Sequence, residues 1–412
     1  MSRLIVSSPS FIGTSGSDLV RGQEDNTSPA IGIEVLKKGV IDTREGNDTI
    51  KGNATGANID FPDNDGITTG VANSGIINVS KGDDTIIGTG TGGFEYRGIA
   101  SGIGISNTQG GYIYGGDGKD SIFGTGNGNT ELGTSIGINN TQHSHIDGGK
   151  GDDSISGTGN GGNATGIDNS EGSVISGGLG NDSITGIGSG SGAYIDPAHS
   201  DYASSGTGIN NSKGSVISTG QGNDFLSGTG TGGAGTGSTP FGEIGAGSGI
   251  GIVNSGIICL GDGNDTIIGT GINQGIGFLN TNGIICGGAG DDTLTGYGTS
   301  IGIQGGTIDG GSGNDYFKAR RIDANGNPVS NQGGDIANVL IKGGCGNDTF
   351  DVGYGNATID GGSGWDKLIL PDFKTNYTII GSSDNYTIKR DGFVLNVLNV
   401  EQIAFGGVVP HA

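Results

Sequence analysis

The sequence predicts an all-β fold: a parallel β-solenoid (β-helix or β-roll) of about eleven irregular coils closed by a C-terminal β cap. Three observations carry that expectation. Glycine supplies 95 of 412 residues, a loop of the form Gly-x-Asp recurs along the chain, and an isoleucine stands at a fixed offset before each copy. A long period of this kind lets few apolar residues build a continuous core, because each repeat covers its neighbour's open face.

Composition sets the limits. Apolar residues make up 31% and aromatic residues 6%, too little for a large conventional globule, and glycine does not recur every third position, which excludes collagen. The charge is 19 − 42 = −23, so nucleic acid and anionic membranes are disfavoured as partners and cations are favoured. No apolar run is long enough for a membrane span, and Met1-Ser-Arg-Leu-Ile-Val is too short for a secretory leader, so export is expected by another route. Cys259, Cys286 and Cys345 provide no disulfide framework. The first two occupy the same outward position in adjacent coils; they can pair, but stacked free thiols are the expectation.

Residues 1–40 lack the loop and are expected to cap the first coil. Residues 41–370 carry the repeat, with loop aspartates at Asp48, Asp84, Asp120, Asp153, Asp182, Asp224, Asp265, Asp292, Asp315, Asp348 and Asp366. Seven residues before each stands the isoleucine (Ile41, Ile77, Ile113 and onward to Ile359), usually followed by a polar residue, which is the alternation of a half-buried strand. A second strand follows the loop, as in Asp84-Thr-Ile-Ile-Gly-Thr-Gly90. A third, Gly-Ile-x-Asn, sets Asn73, Asn107, Asn140, Asn169, Asn211, Asn254 and Asn280 at a nearly constant distance before the next loop. These are expected to form a stacked asparagine ladder, each in the left-handed region. Residues 371–412 lose glycine, alternate through Tyr386-Thr-Ile388, turn at Asp391-Gly392 and should form the β cap.

The loop has a chemistry of its own. Calcium takes about six to eight oxygens, and a glycine-rich turn exposes carbonyls while its aspartate supplies charge. In the seven copies with the full Gly-Gly-x-Gly-x-Asp, the candidate ligands are Gly116, Gly118 and Asp120; Gly149, Gly151 and Asp153; Gly178, Gly180 and Asp182; Gly288, Gly290 and Asp292; Gly311, Gly313 and Asp315; Gly344, Gly346 and Asp348; and Gly362, Gly364 and Asp366. Asp84, Asp224 and Asp265 join them from degenerate copies. Eleven stacked loops frame up to ten sites, and ten dications bring +20 against −23, so cation binding is expected to drive folding.

Variation in repeat length collects at one corner, with long insertions at 193–204 and 234–247. Tyr194, Asp196, His199 and Tyr202 in the first are residue types that a polysaccharide lyase or epimerase uses, which keeps a carbohydrate-active enzyme open as an alternative. Thr89, Thr125, Thr158, Thr229 and Thr270 form a column, interrupted by Ile187 and Tyr297, that keeps ice binding open too. His143 and His145 lack a third metal ligand, Lys318-Ala-Arg-Arg321 reads as a solvated loop, and no phosphate loop or nucleophile elbow is present.

The seven full loops match Gly-Gly-x-Gly-x-Asp-x-U-x, and the chain thereby resembles the RTX (repeats-in-toxin) family of calcium-binding repeats. Its tail resembles that family's C-terminal region at Trp365-Asp-Lys-Leu368, Asn385-Tyr-Thr-Ile388 and Leu398 to Phe405. The resemblance implies that Asp120, Asp153, Asp182, Asp292, Asp315, Asp348 and Asp366 are calcium ligands. It also implies export by type I secretion machinery through an uncleaved C-terminal signal and folding outside the cell. Family coils span 18 residues, an interval found here only between Asp348 and Asp366, so the coils of this chain should be larger. The role expected is structural or adhesive rather than catalytic, with cell-surface polysaccharide or extracellular matrix as partner.

Overall fold

A computed structural model describes residues 2–57, 66–93, 100–128, 133–192, 203–234, 238–239, 242–243, 246–329, 333–382 and 384–406. Each coil holds three strands, which in one coil are Ser101–Asn107 ending on the asparagine, Tyr112–Asp117 entering the loop and Ser121–Asn127 leaving it. Every strand pairs in parallel with its counterpart one coil on, so that Ile105 meets Ile138, Ile113 meets Ile146 and Ile122 meets Ile155. The strands leaving the loops make a 13-stranded sheet, and the other two sets join in a 25-stranded one. Among the described residues there is no α-helix, and one 3-10 turn lies at Lys374–Asn376.

The cross-section has two halves of different make-up. At the loop end each coil points three apolar side chains inward, such as Ile105, Ile113 and Ile122, all fully buried against the next coil's trio. Away from the loop the two sheets meet on glycine, Gly88 against Gly104 and Gly124 against Gly137. Contact there is so close that a Cβ on Gly137 would stand 2.6 Å from the Gly157 Cα. Backbone itself therefore fills half of the interior, which is how a chain poor in apolar side chains stays closely packed. The length variation sits beyond this glycine half, between strand ends such as Thr231 and strand starts such as Gly249; most of the insertions at 193–204 and 234–247 lies outside the described residues.

Residues 1–40 depart from the expected cap. Leu4–Val6, Phe11–Ile12 and Leu19–Thr27 pair in register with Ile31–Val35, Val40–Asp42 and Thr49–Gly56, so the segment adds a coil. Its loop is Gly13-Thr-Ser-Gly-Ser-Asp18, with Thr14 for the second glycine, and Phe11 stands where the isoleucine column would begin. At the other end Thr378–Ser382, Asn385–Arg390 and Phe393–Leu398 form an antiparallel sheet that joins the coils by parallel pairing of Phe393–Leu398 with Asn356–Ser363. The Arg390 guanidinium lies 4.7 Å from the Tyr354 ring centre and 5.2 Å from that of Tyr377, and pairs with Asp372 at 2.8 Å, which pins this sheet to the last coils.

The basic run is not a loop. It lies within the strand Tyr316–Arg321, where Ala319 is buried and Arg320 pairs with Asp351 of the next coil. Cys259 and Cys286 form a disulfide, against the expectation of free thiols. Strict parallel register sets their Cα atoms 4.7 Å apart, within the span a disulfide bridges. Cys345 is free and exposed.

The asparagine ladder is present. Asn73 to Asn280 are all buried, and each of the first six donates through Nδ2 to the next Oδ1 at 2.8–3.0 Å. Each also reaches a carbonyl of the following coil, as Asn169 does at Val216. They are not left-handed, contrary to expectation; they end strands in extended backbone, and positive φ falls in the turn beyond, at Gln109, Gln142 and Glu171. An extended strand end is what aims the amide inward. Asn169→Ala takes the side-chain donor from the Val216 carbonyl and from Asn211 Oδ1 and one acceptor from the Asn140 amide, which keeps the Val174 carbonyl; at about 1–3 kcal/mol for an unpaired buried group, it should lower the urea midpoint accordingly.

Candidate cation-binding ladder

The glycines at the second and fourth loop positions bend the chain back on itself. At Gly149 and Gly151 φ is 113° and 125°, a region open to glycine and strained for other residues. The reversal folds the Asp153 side chain into its own turn, where it is 3% exposed. Its Oδ1 accepts the Asp120 N–H at 2.7 Å, and its own N–H donates to Asp182 Oδ1 at 2.8 Å. The chain of bonds continues without a gap from the Asp18 N–H to Asp366, whose N–H donates to Glu401 Oε2 at 2.6 Å.

This bonding uses only half of each carboxyl group. Oδ2 of all eleven loop aspartates is buried without a hydrogen-bond partner. In the seven full loops it converges over the bare Cα of the first glycine with a carbonyl of the next coil, or, at Gly361, with that of Asn399 in the C-terminal cap. At Gly148 the added carbon would meet Asp153 Oδ2 at 2.7 Å and the Gly177 carbonyl as well. A carboxylate oxygen and a carbonyl oxygen, dry and without a donor between them, make a donor set for a hard cation.

No family model and no curated protein matches the chain.

Burial, reinforced by neighbouring carboxylates, pushes Asp84, Asp153, Asp182, Asp292 and Asp348 up to about 7. Burial likewise raises Asp120, Asp265 and Asp315 to about 6, and raises Asp224 and Asp366. The amide that each receives from the preceding coil opposes the rise. Carboxyl groups so placed need either a proton or a cation.

The structure thus brings all the predicted loop residues into one column, and it adds two participants at the ends. Asp18 opens the ladder, and Glu401 closes it from the C-terminal cap. A second column lies outside the motif, which leaves the fifth loop position unspecified. Asn47, Asp83, Asp152, Asn181, Asn223, Asn264, Asp291, Asn314 and Asn347 accept, through Oδ1, the backbone N–H of the same position one coil on. Lys119, which has no acceptor, interrupts it. The signal was the recurring Asn or Asp directly before the loop aspartate.

Among the described residues no three His, Cys, Asp or Glu side chains gather as a metal cluster. The His145 ring lies beside Tyr112, with centres 5.8 Å apart, and the His143 ring lies over Gly172. The threonine column is in register on the outer face, broken at Ile187 and Tyr297. Tyr194, Asp196, His199 and Tyr202 lie outside the described residues.

Proposed function

We propose that this protein is a calcium-binding β-solenoid of the RTX type, exported by type I secretion and folded outside the cell as a structural or adhesive rod, with cell-surface polysaccharide or matrix as its partner. The eleven buried, unpartnered Oδ2 atoms carry the reading. Bound calcium would supply positive charge to ionised carboxylates held one coil apart. The residues do the rest. The aspartate column fixes each carboxylate through Oδ1, the loop glycines bring carbonyls to bear on Oδ2, and the isoleucine trios hold the loops in stack.

A net charge of −23 resists compaction until it is offset, so binding free energy becomes folding free energy. At neutral pH, titrating calcium into chelator-treated protein is expected to raise the β signal in far-ultraviolet circular dichroism cooperatively, with magnesium ineffective. A fully folded chain that ignores both ions would refute the reading.

A further inference from the structure

We infer that side chains fill the binding space in four loops of the ladder, two of which divide it into two separate cation-loaded stretches. This rests on the calcium reading above and specifies which loops are loaded. The deciding position is the first residue of the loop. It is glycine in the seven full loops, but Thr43, Val79, Thr219 and Leu260 precede Asp48, Asp84, Asp224 and Asp265.

All four of these side chains are buried. In the open loops a Cβ at this position would meet both Oδ2 of the loop aspartate and the carbonyl from the next coil, so in the four filled loops carbon occupies the space between the two oxygens. The threonines go further. The Thr219 hydroxyl donates to the Leu260 carbonyl at 2.6 Å, and the Thr43 hydroxyl to the Val79 carbonyl at 3.3 Å. Those carbonyls are the counterparts of the Gly177 carbonyl that faces Asp153 Oδ2, so a hydroxyl has taken the place a cation would hold. Val79 and Leu260 present only hydrocarbon. Gly13 leaves its own loop open, yet Asp18 Oδ2 already accepts the Thr14 N–H at 2.6 Å.

Seven loaded loops remain, Asp120 to Asp182 and Asp292 to Asp366, with the filled loops of Asp224 and Asp265 between them. The Cys259–Cys286 disulfide joins the last filled coil to the first open one of the second stretch, a covalent link where the ladder has no ion to bridge.

Reciprocal substitutions test the division. Equilibrium dialysis of the whole chain against radiolabelled calcium is expected to give seven bound ions. Gly148→Thr, which copies Thr219, should bind one fewer, and Thr219→Gly, which copies Gly148, one more, with circular dichroism at saturating calcium checking that each folds. Gly343→Thr is the alternative filled variant should Gly148→Thr not fold. A count near eleven for the natural chain, or counts that both substitutions leave unchanged, would overturn the division while leaving calcium binding intact. No saturable binding at all would remove the calcium reading and the division together.

Discussion

Without calcium, the protein should gain stability as the pH falls from about 7 to about 4, opposite to the acid denaturation common among proteins whose carboxylates are paired. Asp84, Asp153, Asp182, Asp292 and Asp348 lie at about 7 in the folded chain, against 3.8 when exposed. Below the exposed value both states hold the proton, and the contribution to stability is complete. Between the two values the unfolded chain has released its protons while the folded ladder keeps them, so stability drains away as pH rises and levels off once the folded groups ionise. Loaded with cation, Asp153, Asp182, Asp292 and Asp348 are ionised in the fold and their part of the slope reverses.

Urea midpoints measured across this range, with chelator and then with calcium, should therefore give two curves that coincide at the acid end, where protons displace the cation, and part as the pH rises. General self-repulsion of an acidic chain has the same sign, but it is screened by salt, whereas the buried column is screened much less. The calcium-free trend should persist at high ionic strength. A midpoint that rises with pH in chelator would show that the aspartates are already satisfied.

Gly137→Val is expected to be severely damaging to the glycine half. The added Cβ would meet the Thr158 amide and lie 2.5 Å from the Gly157 carbonyl carbon; both obstacles are backbone of the facing sheet and cannot swing aside. The sheets must part locally, at about 3 kcal/mol or more. Each coil contacts only its neighbours, so the damage should split the rod into two parts that melt separately. Calorimetry should resolve a single broadened or divided transition, while Gly16→Ala, where the new carbon meets nothing nearer than 4.0 Å, should melt with the parent. An unchanged transition for Gly137→Val would mean the sheets do not touch there.

The isoleucine column and the loop were legible because each repeats at a fixed offset, and periodicity survives changes of coil length. The asparagine ladder was legible for the same reason, although its backbone was not: the offset locates a residue without saying whether the turn falls on it or one step later. The first coil was hidden because Thr14, Phe11 and Val20 replace the residues that define the motif, while Phe11 and Val20 keep register with Ile41 and Ile50 of the next coil. Glu401 was out of reach, since it stands outside any repeat and meets Asp366 only once the terminal sheet has folded back. The disulfide turned on register, which equal offsets implied for Cys259 and Cys286 but only pairing of the strands established.

The aspartate column has a polarity whose consequence concerns chain growth. Each amide donates forward, from one loop to the aspartate of the loop that follows it in sequence. A stack extended from its N-terminal coil therefore always carries one unanswered amide at its advancing front. Each new turn answers the previous one and exposes its own, and the series closes only when Glu401 arrives to receive the Asp366 N–H. Completion is thus registered at the tail. A stack that stops at any earlier coil ends on an unanswered loop amide, which the Asp366 loop, closed by Glu401, does not have.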